Sequence, residues 1–183
     1  RLRQATGYTG ILSSEIQCSA KLDRMYEIVE ECISNNHKVV VFSNWTSVIT
    51  PVFERLAKFS PLKITGEIPD NERQRIIDAF QNNDRFKVLV GTIGALGTGV
   101  TLTKASTVIL LDEPWNRALR EQAIDRCYRI GQENKVTVYT IMCKGTIDER
   151  IHELVEKKGH MSDALVDNNY MKLERADIEF LLS

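Results

Sequence analysis

A glutamine and two arginines recur at helical spacing between residues 122 and 129. Gln122, Arg126 and Arg129 fall at positions i, i+4 and i+7, so one helix would carry all three side chains on one face. A guanidinium group is always charged and presents a rigid fork of donors that matches phosphate oxygens. The spacing therefore indicates a site for a phosphate chain, and the alternative is an ordinary solvated helix face.

The glycine-rich stretch Gly91–Gly99 is a second candidate for binding phosphate. Four glycines in nine residues, together with Thr92 and Thr98, allow a close backbone approach and supply donors to an anion. The alternative is a flexible loop that only joins a strand to a helix.

The segment Val108–Glu113 looks like a strand that ends in two carboxylates, as in a magnesium-nucleotide site. Such a site also needs a G-x-x-x-x-G-K-[ST] loop to cradle the phosphates, and no such sequence occurs in the 183 residues. We therefore expect Asp112 and Glu113 to end a strand and to cap the turn before the next helix. The chain by itself is not predicted to be a complete NTPase.

These residues must be positioned by the strands and helices around them. Short apolar, β-branched runs predict five buried strands, at Lys38–Ser43, Leu62–Thr65, Lys87–Gly91, Thr107–Asp112 and Val136–Met142. Amphipathic stretches predict five helices, at Lys21–Asn35, Ser47–Phe59, Asn71–Gln81, Arg117–Ile130 and Thr146–Lys158. The alternation predicts an α/β fold, in which a parallel sheet has helices on both faces.

The predicted helix at Arg117–Ile130 carries the two candidate arginines. Its apolar residues recur at helical spacing and predict a buried stripe formed by Leu119, Ala123, Cys127 and Ile130. Gly131 would then end the helix in a left-handed conformation.

The carboxyl ends of the strands are where ligands bind in an open parallel sheet. The residues that follow the predicted strands include polar side chains and two tryptophans, Trp45 and Trp115. Each tryptophan could line a ligand path, and the alternative is a core tryptophan that covers the end of the sheet.

Composition limits the classes of function. The length suits one domain with a sizeable core, and the formal net charge of −1 argues against a free-standing DNA-binding module, which would usually be basic. No membrane span, secretory peptide or metal site is expected, since no run of 18 apolar residues occurs and the four cysteines lack zinc-ligand spacing. The pattern divides the chain into a lead-in at 1–19, a domain at 20–158 and a helical tail at 159–183.

The segment 122–132, with the pattern QAxDRxxRIGQ, resembles motif VI of Swi/Snf-type ATPases within the superfamily-two helicases. Further segments resemble other motifs of the family in the family's order, at 39–46, 64–80, 90–103 and 107–116, with shorter similarities at 2–4 and 19–22. The resemblance covers about residues 1–152, and the ordered set is highly specific. The glycine-rich stretch departs from the pattern, because it is one residue longer and has Ile93 where many members carry Arg or Lys.

This resemblance implies a RecA-like three-layer sandwich that forms the second lobe of a DNA-dependent ATPase. In the family, two arginines reach across a cleft to ATP, which the first lobe holds together with Mg²⁺; by position these are Arg126 and Arg129. The resemblance also implies an ATP-cleft position for Gln122, Gly99 and Thr101. It implies DNA contacts for Ser43, Asn44, Thr65, Thr92, Trp115 and Asn116.

The complete parent is therefore expected to hydrolyse ATP and to translocate on double-stranded DNA, while this chain alone is expected to be inactive. The expected partners are double-stranded DNA and the N-terminal RecA-like lobe of the same parent. We expect an intracellular protein, cytoplasmic or nucleoid-associated in a bacterium and nuclear in a eukaryote. The segment 101–103 and the pair Pro114-Trp115 resemble bacterial or annealing-helicase-like members. The alternative function is a degenerate RecA-like module that binds nucleic acid or protein without hydrolysis.

Overall fold

A computed structural model describes residues 2–11, 19–96, 99–114, 117–162 and 174–182. Within these ranges the chain forms one sheet of five strands in the order β2-β3-β1-β4-β5, and every neighbouring pair is parallel. The strands are β1 (Lys38–Ser43), β2 (Leu62–Ile64), β3 (Val88–Thr92), β4 (Ala105–Leu110) and β5 (Thr137–Thr140). All five predicted strands are present, and their ends differ from the predicted ones by at most two residues.

Helices cover both faces of this sheet. They are α1 (Leu2–Gly7), α2 (Ala20–Ser34), α3 (Thr46–Arg55), α4 (Asp70–Asn82), α5 (Ile93–Leu96), α6 (Arg117–Asp125), α7 (Ile147–Ser162) and α8 (Arg175–Leu182). Short 3₁₀ turns lie at Thr9–Ile11 and Ala57–Phe59.

Alternate residues of the central strands supply the two cores, because successive side chains of a strand point to opposite faces. Val39 and Val41 pack with α2 and α3, whereas Val40 and Phe42 pack with α4, α5 and α6. Since both faces are covered, every residue of β1, β3 and β4 is buried. The predicted parallel α/β sheet with helices on both faces is confirmed.

The helix that carries the candidate arginines is shorter than predicted. It ends at Asp125 instead of Ile130, and the Ile130 side chain is 100% exposed, so its predicted place in the buried stripe is wrong. The predicted burial of Ala123 and Cys127 is confirmed, and Leu119 is half-buried.

Tertiary hydrogen bonds explain why the helix stops. The Leu102 amide donates to the Arg126 carbonyl over 2.7 Å. The Gln132 side-chain amide donates to the carbonyls of Cys127 and Ala105, over 3.1 and 2.8 Å. The Arg126 and Cys127 carbonyls, which a continuing helix would use, are therefore already bonded. Gly131 has the expected left-handed conformation, at φ +100°, but it lies six residues beyond the end of α6.

The first and last described helices both pack onto the sheet domain. In α1, the Thr6 hydroxyl donates to the Asp148 carboxylate over 2.8 Å, and the Ser19 hydroxyl donates to the Gly7 carbonyl over 3.1 Å. In α8, Leu181 is buried in an apolar cluster with residues of α7. The division at 19 and 158 stays a prediction. None of the described helices is both long and apolar enough to cross a bilayer.

Candidate functional site

An open depression of about 530 Å³ lies beside α6 and the turn that follows it. Its lining includes three of the residues that were singled out for an ATP cleft, Gln122, Arg126 and Arg129. The other lining residues are Ala118, Glu121, Asp125 and Tyr128. The structure therefore brings the glutamine and both arginines to one surface, although only Gln122 lies on the helix itself.

The second arginine is connected to the glycine-rich side of the same surface. The Arg129 guanidinium donates to the Thr101 hydroxyl over 3.2 Å, while the Arg129 side chain remains exposed. Gly99 is exposed and has φ +70°, a conformation that favours glycine. Thr101, which was expected at the ATP cleft, thus lies next to Arg129. The segment 97–98 lies outside the described residues.

The carboxyl ends of β1 and β4 are joined through one buried carboxylate. The side chain of Asp112, which is 2% exposed, accepts hydrogen bonds from the Ser43 hydroxyl over 2.5 Å and from the Asn44 amide over 2.9 Å. It also accepts from the Asn44 side-chain amide. Burial raises the pKa of Asp112, and these bonds and the charge of Arg3 oppose that rise. The described bonds of this carboxylate therefore cross the sheet and fix the loop after β1.

The residues that were singled out for DNA contact lie at this carboxyl-end edge wherever they are described. Ser43, Thr65 and Thr92 are buried at the ends of their strands, and Asn44 is half-buried. Trp115 and Asn116 lie outside the described residues. Because the Ser43 hydroxyl is already bonded to Asp112, its described role is to position the loop.

A buried ion pair continues this connection to α2 and α7. The Lys21 ammonium lies 2.5 Å from the Asp148 carboxylate and donates to the Leu111 carbonyl over 2.8 Å. Arg3 donates to the Glu113 carbonyl and lies over the Trp45 ring, at 5.8 Å from its centroid. We call the connected set the strand-end network; its members are Arg3, Lys21, Ser43, Asn44, Asp112 and Asp148.

Sequence reasoning expected Glu113 to cap a turn and missed the buried partners of its carboxylate, which is 4% exposed. It lies 3.8 Å from an Arg120 guanidinium nitrogen and 3.6 Å from the His152 Nδ1 atom. Arg120 is on α6 and His152 is on α7, so the carboxylate lies between two helices. No spacing in the sequence indicates this cluster, because its members come from three separate segments that only the fold brings together.

The structure favours a core position for Trp45 over a place on a ligand path. Its side chain is half-buried and packs against the apolar cluster formed by α2, α3 and their face of the sheet. Among the described residues, no group of three or more His, Cys, Asp or Glu side chains is arranged to hold a metal ion.

Comparison with known proteins places these features in a family. A family model described as the helicase conserved C-terminal domain matches residues 20–131. Transcription termination factor 2 of Drosophila melanogaster is 36% identical over 153 residues, which make up 81% of this chain and 14% of that protein. The human chromatin-remodeling ATPase INO80 is 35% identical over 162 residues, which make up 87% of this chain and 10% of that protein. The chain thus spans a small part of the length of these relatives.

A solved structure extends the similarity to three dimensions. The Sulfolobus solfataricus SWI2/SNF2 ATPase core, in complex with double-stranded DNA, matches with a TM-score of 0.75 and 31% sequence identity. The match covers 90% of this chain and 36% of that chain. The five-stranded sheet therefore has a counterpart within a larger ATPase core.

Proposed function

The chain belongs to the helicase conserved C-terminal domain family, as a C-terminal lobe of a Swi/Snf-type superfamily-two ATPase, and from this premise we propose that it completes a split ATP site and contacts double-stranded DNA. In this proposal a first lobe of the same parent holds ATP, and Arg126 and Arg129 reach it when the two lobes close. Membership of a bacterial or annealing-helicase-like branch stays a prediction.

The observation that carries the proposal is the depression lined by Gln122, Arg126 and Arg129. Phosphoryl transfer develops charge on the oxygens of the γ-phosphate, and an arginine from a facing surface stabilises that charge. The Thr101 hydroxyl accepts from Arg129 and would hold the guanidinium near this position before ATP arrives. Because the depression is open, a second surface is needed to exclude water from the reacting phosphate.

The donors of the depression fit a triphosphate, whereas the described residues include no cluster that fits its Mg²⁺ ion. We therefore assign the ion to the first lobe, where it would neutralise negative charge on the phosphates. Gln122, Gly99 and Thr101 would form the rest of this chain's side of the cleft, and none of them is proposed to transfer a proton.

The carboxyl-end edge is the proposed DNA-contacting surface. Ligands of open parallel sheets bind at this edge, and Asn44, Thr65 and Thr92 lie there. We include Ser43, Trp115 and Asn116 in the proposed surface. With a net charge of −1, the chain would bind DNA weakly by itself, since affinity for DNA depends strongly on neutralising phosphates. A first lobe would supply the remaining contacts.

The test is DNA-stimulated ATP hydrolysis by the complete parent, with Arg129→Ala as the variant. We expect turnover to fall by roughly a thousandfold or more, the range known for arginine fingers. Arg24→Ala is the matched control, because Arg24 is an exposed arginine on α2 whose partner among the described residues is the exposed Glu27. This chain alone serves as the blank and should show no hydrolysis.

Each other outcome has a definite meaning. Normal turnover by Arg129→Ala would overturn the finger assignment. Hydrolysis by this chain alone would overturn the split site. A parent that binds DNA but never hydrolyses ATP would establish the degenerate binding module instead.

A further inference from the structure

Two large apolar side chains are exposed on either side of Arg129. Tyr128 is 71% exposed and Ile130 is 100% exposed, and they are the two most exposed of the five large hydrophobic side chains that are open to solvent on the described surface. Single exposed apolar residues are common on proteins. Here, however, two such residues flank a candidate catalytic arginine, and Tyr128 also lines the depression.

The backbone enforces this exposure. The segment 126–131, which we call the finger turn, is tied at its start by the Leu102–Arg126 bond and at its end by the Gln132 side chain. The backbone N–H of Gln132 also donates to the Arg129 carbonyl over 3.0 Å. If α6 continued, Ile130 would fall on the buried stripe with Ala123 and Cys127. Instead, these hydrogen bonds turn Ile130 outward, so its exposure follows from the backbone conformation of the finger turn.

We propose that Tyr128 and Ile130 are a docking surface for the first lobe of the same parent, on which they close around the bound nucleotide. This inference rests on the proposed function and adds a non-electrostatic contact to it. The first lobe is the expected occupant because Tyr128 lines the same depression as Arg126 and Arg129, the arginines proposed to face that lobe. A first lobe also fits the matched lengths, since the similar SWI2/SNF2 ATPase core extends well beyond the 36% that this chain covers.

The charges of the depression support an apolar contact. Arg126 and Arg129 are accompanied by Glu121 and Asp125, so the formal charges in the lining cancel. Long-range attraction to an anionic nucleotide is correspondingly small. An aromatic and an aliphatic side chain next to an arginine is a combination that is typical of the buried core of an interface. Burial of this pair would also remove water from the arginines and so strengthen their attraction for phosphate.

The experiment uses the complete parent, with a donor dye on one lobe and an acceptor dye on the other, and compares Ile130→Ser with the parent sequence. Energy transfer is titrated with a non-hydrolysable ATP analogue in the presence of saturating DNA. We expect the concentration of analogue that half-closes the lobes to rise about tenfold, as loss of one buried aliphatic side chain predicts. Steady-state hydrolysis should show a matching rise in KM for ATP.

Three controls accompany this variant. Ile178→Ser removes an isoleucine that is 46% exposed on α8 and should leave the titration unchanged. Ile130→Val keeps most of the apolar surface and should restore most of the closure. The thermal unfolding midpoint of Ile130→Ser should equal that of the parent, because a fully exposed side chain contributes no packing to this lobe.

The outcomes separate this inference from the proposed function. If Arg129→Ala abolishes turnover but Ile130→Ser closes normally, the docking surface is overturned and the split ATP site stands. If Arg129→Ala leaves turnover unchanged, the proposed function fails first. If the parent dimerises in sedimentation and Ile130→Ser removes only the dimer, the occupant is a second copy and the inference is overturned.

Discussion

The strand-end network and the finger turn differ in how far this chain alone completes them. In the network, buried charges meet partners within the chain: Lys21 contacts Asp148, and Asp112 accepts bonds from Ser43 and Asn44. In the finger turn, the backbone is fixed by hydrogen bonds, but Arg129 and its apolar neighbours face solvent. Folding alone therefore pairs the charges of the network, whereas the side chains of the finger turn remain open to a partner.

The largest expected effect on stability comes from the network. Asp148→Ala should lower the free energy of unfolding by about 3–5 kcal/mol, because it leaves the buried Lys21 ammonium without its counter-charge. Urea unfolding followed by circular dichroism measures this loss. Glu27→Ala is the control, since its ion pair with Arg24 is exposed and should contribute less than about 1 kcal/mol.

Arg129→Ala, the variant that should abolish turnover in the parent, provides the contrast in the same unfolding experiment. Its only described partner outside the turn's backbone is the Thr101 hydroxyl, so the free energy of unfolding should change by less than about 0.5 kcal/mol. Equal losses of unfolding free energy for Asp148→Ala and Arg129→Ala would contradict the distinction between a network that folding completes and a surface that remains open to a partner.

A smaller effect concerns how firmly the finger turn is held. Cys127 belongs to this turn, its side chain is buried, and burial raises the pKa of its thiol to about 12. Because only the thiolate reacts, iodoacetamide at pH 8 should modify Cys127 at least roughly tenfold more slowly than the half-buried Cys143. Peptide mass spectrometry over time measures both rates. Equal rates would mean that the turn opens readily and that its exposed isoleucine is not held in place.

The smallest expected effect is a pH dependence of the network. Burial raises the pKa of Asp112 above its usual 3.8, so the folded state holds this proton more tightly than the unfolded state does. The stability contributed by Asp112 is therefore fully present below pH 3.8 and is lost as the pH rises through the folded-state pKa.

Asp112→Asn isolates this contribution, because the amide does not titrate. The difference in free energy of unfolding between the parent sequence and Asp112→Asn should shrink as the pH rises from 4 to 7, measured by urea unfolding at several pH values. A difference that grows with pH would show that Arg3 and the hydrogen bonds outweigh burial.

Much of the fold follows from periodicity alone. Apolar runs such as Lys38–Ser43 can be buried only within a sheet that is covered on both faces, so strand positions and the layered architecture could be predicted. Polar residues after those runs had to meet at one edge, because parallel strands end together. Helical spacing also predicted that Gln122, Arg126 and Arg129 share one surface, although the helix that it assumed ends at Asp125.

Contacts between distant segments decided the rest. Helical spacing placed Ile130 in the core, but the bonds from Leu102 and Gln132 ended the helix at Asp125 and turned Ile130 outward. The local sequence pattern around Arg126 does not indicate that its carbonyl will bond to Leu102, which lies 24 positions away.

The sequence by itself determined the succession of the five strands and the five main helices along the chain, the sheet edge that gathers polar residues, and the arginine pair whose motif identifies the family. The tertiary structure alone decided which charges pair in the interior, such as Lys21 with Asp148, and which apolar residues remain at the surface. The physical reason is range: periodicity reflects forces between near neighbours, whereas buried ion pairs and helix ends depend on partners that only folding brings within a few ångströms.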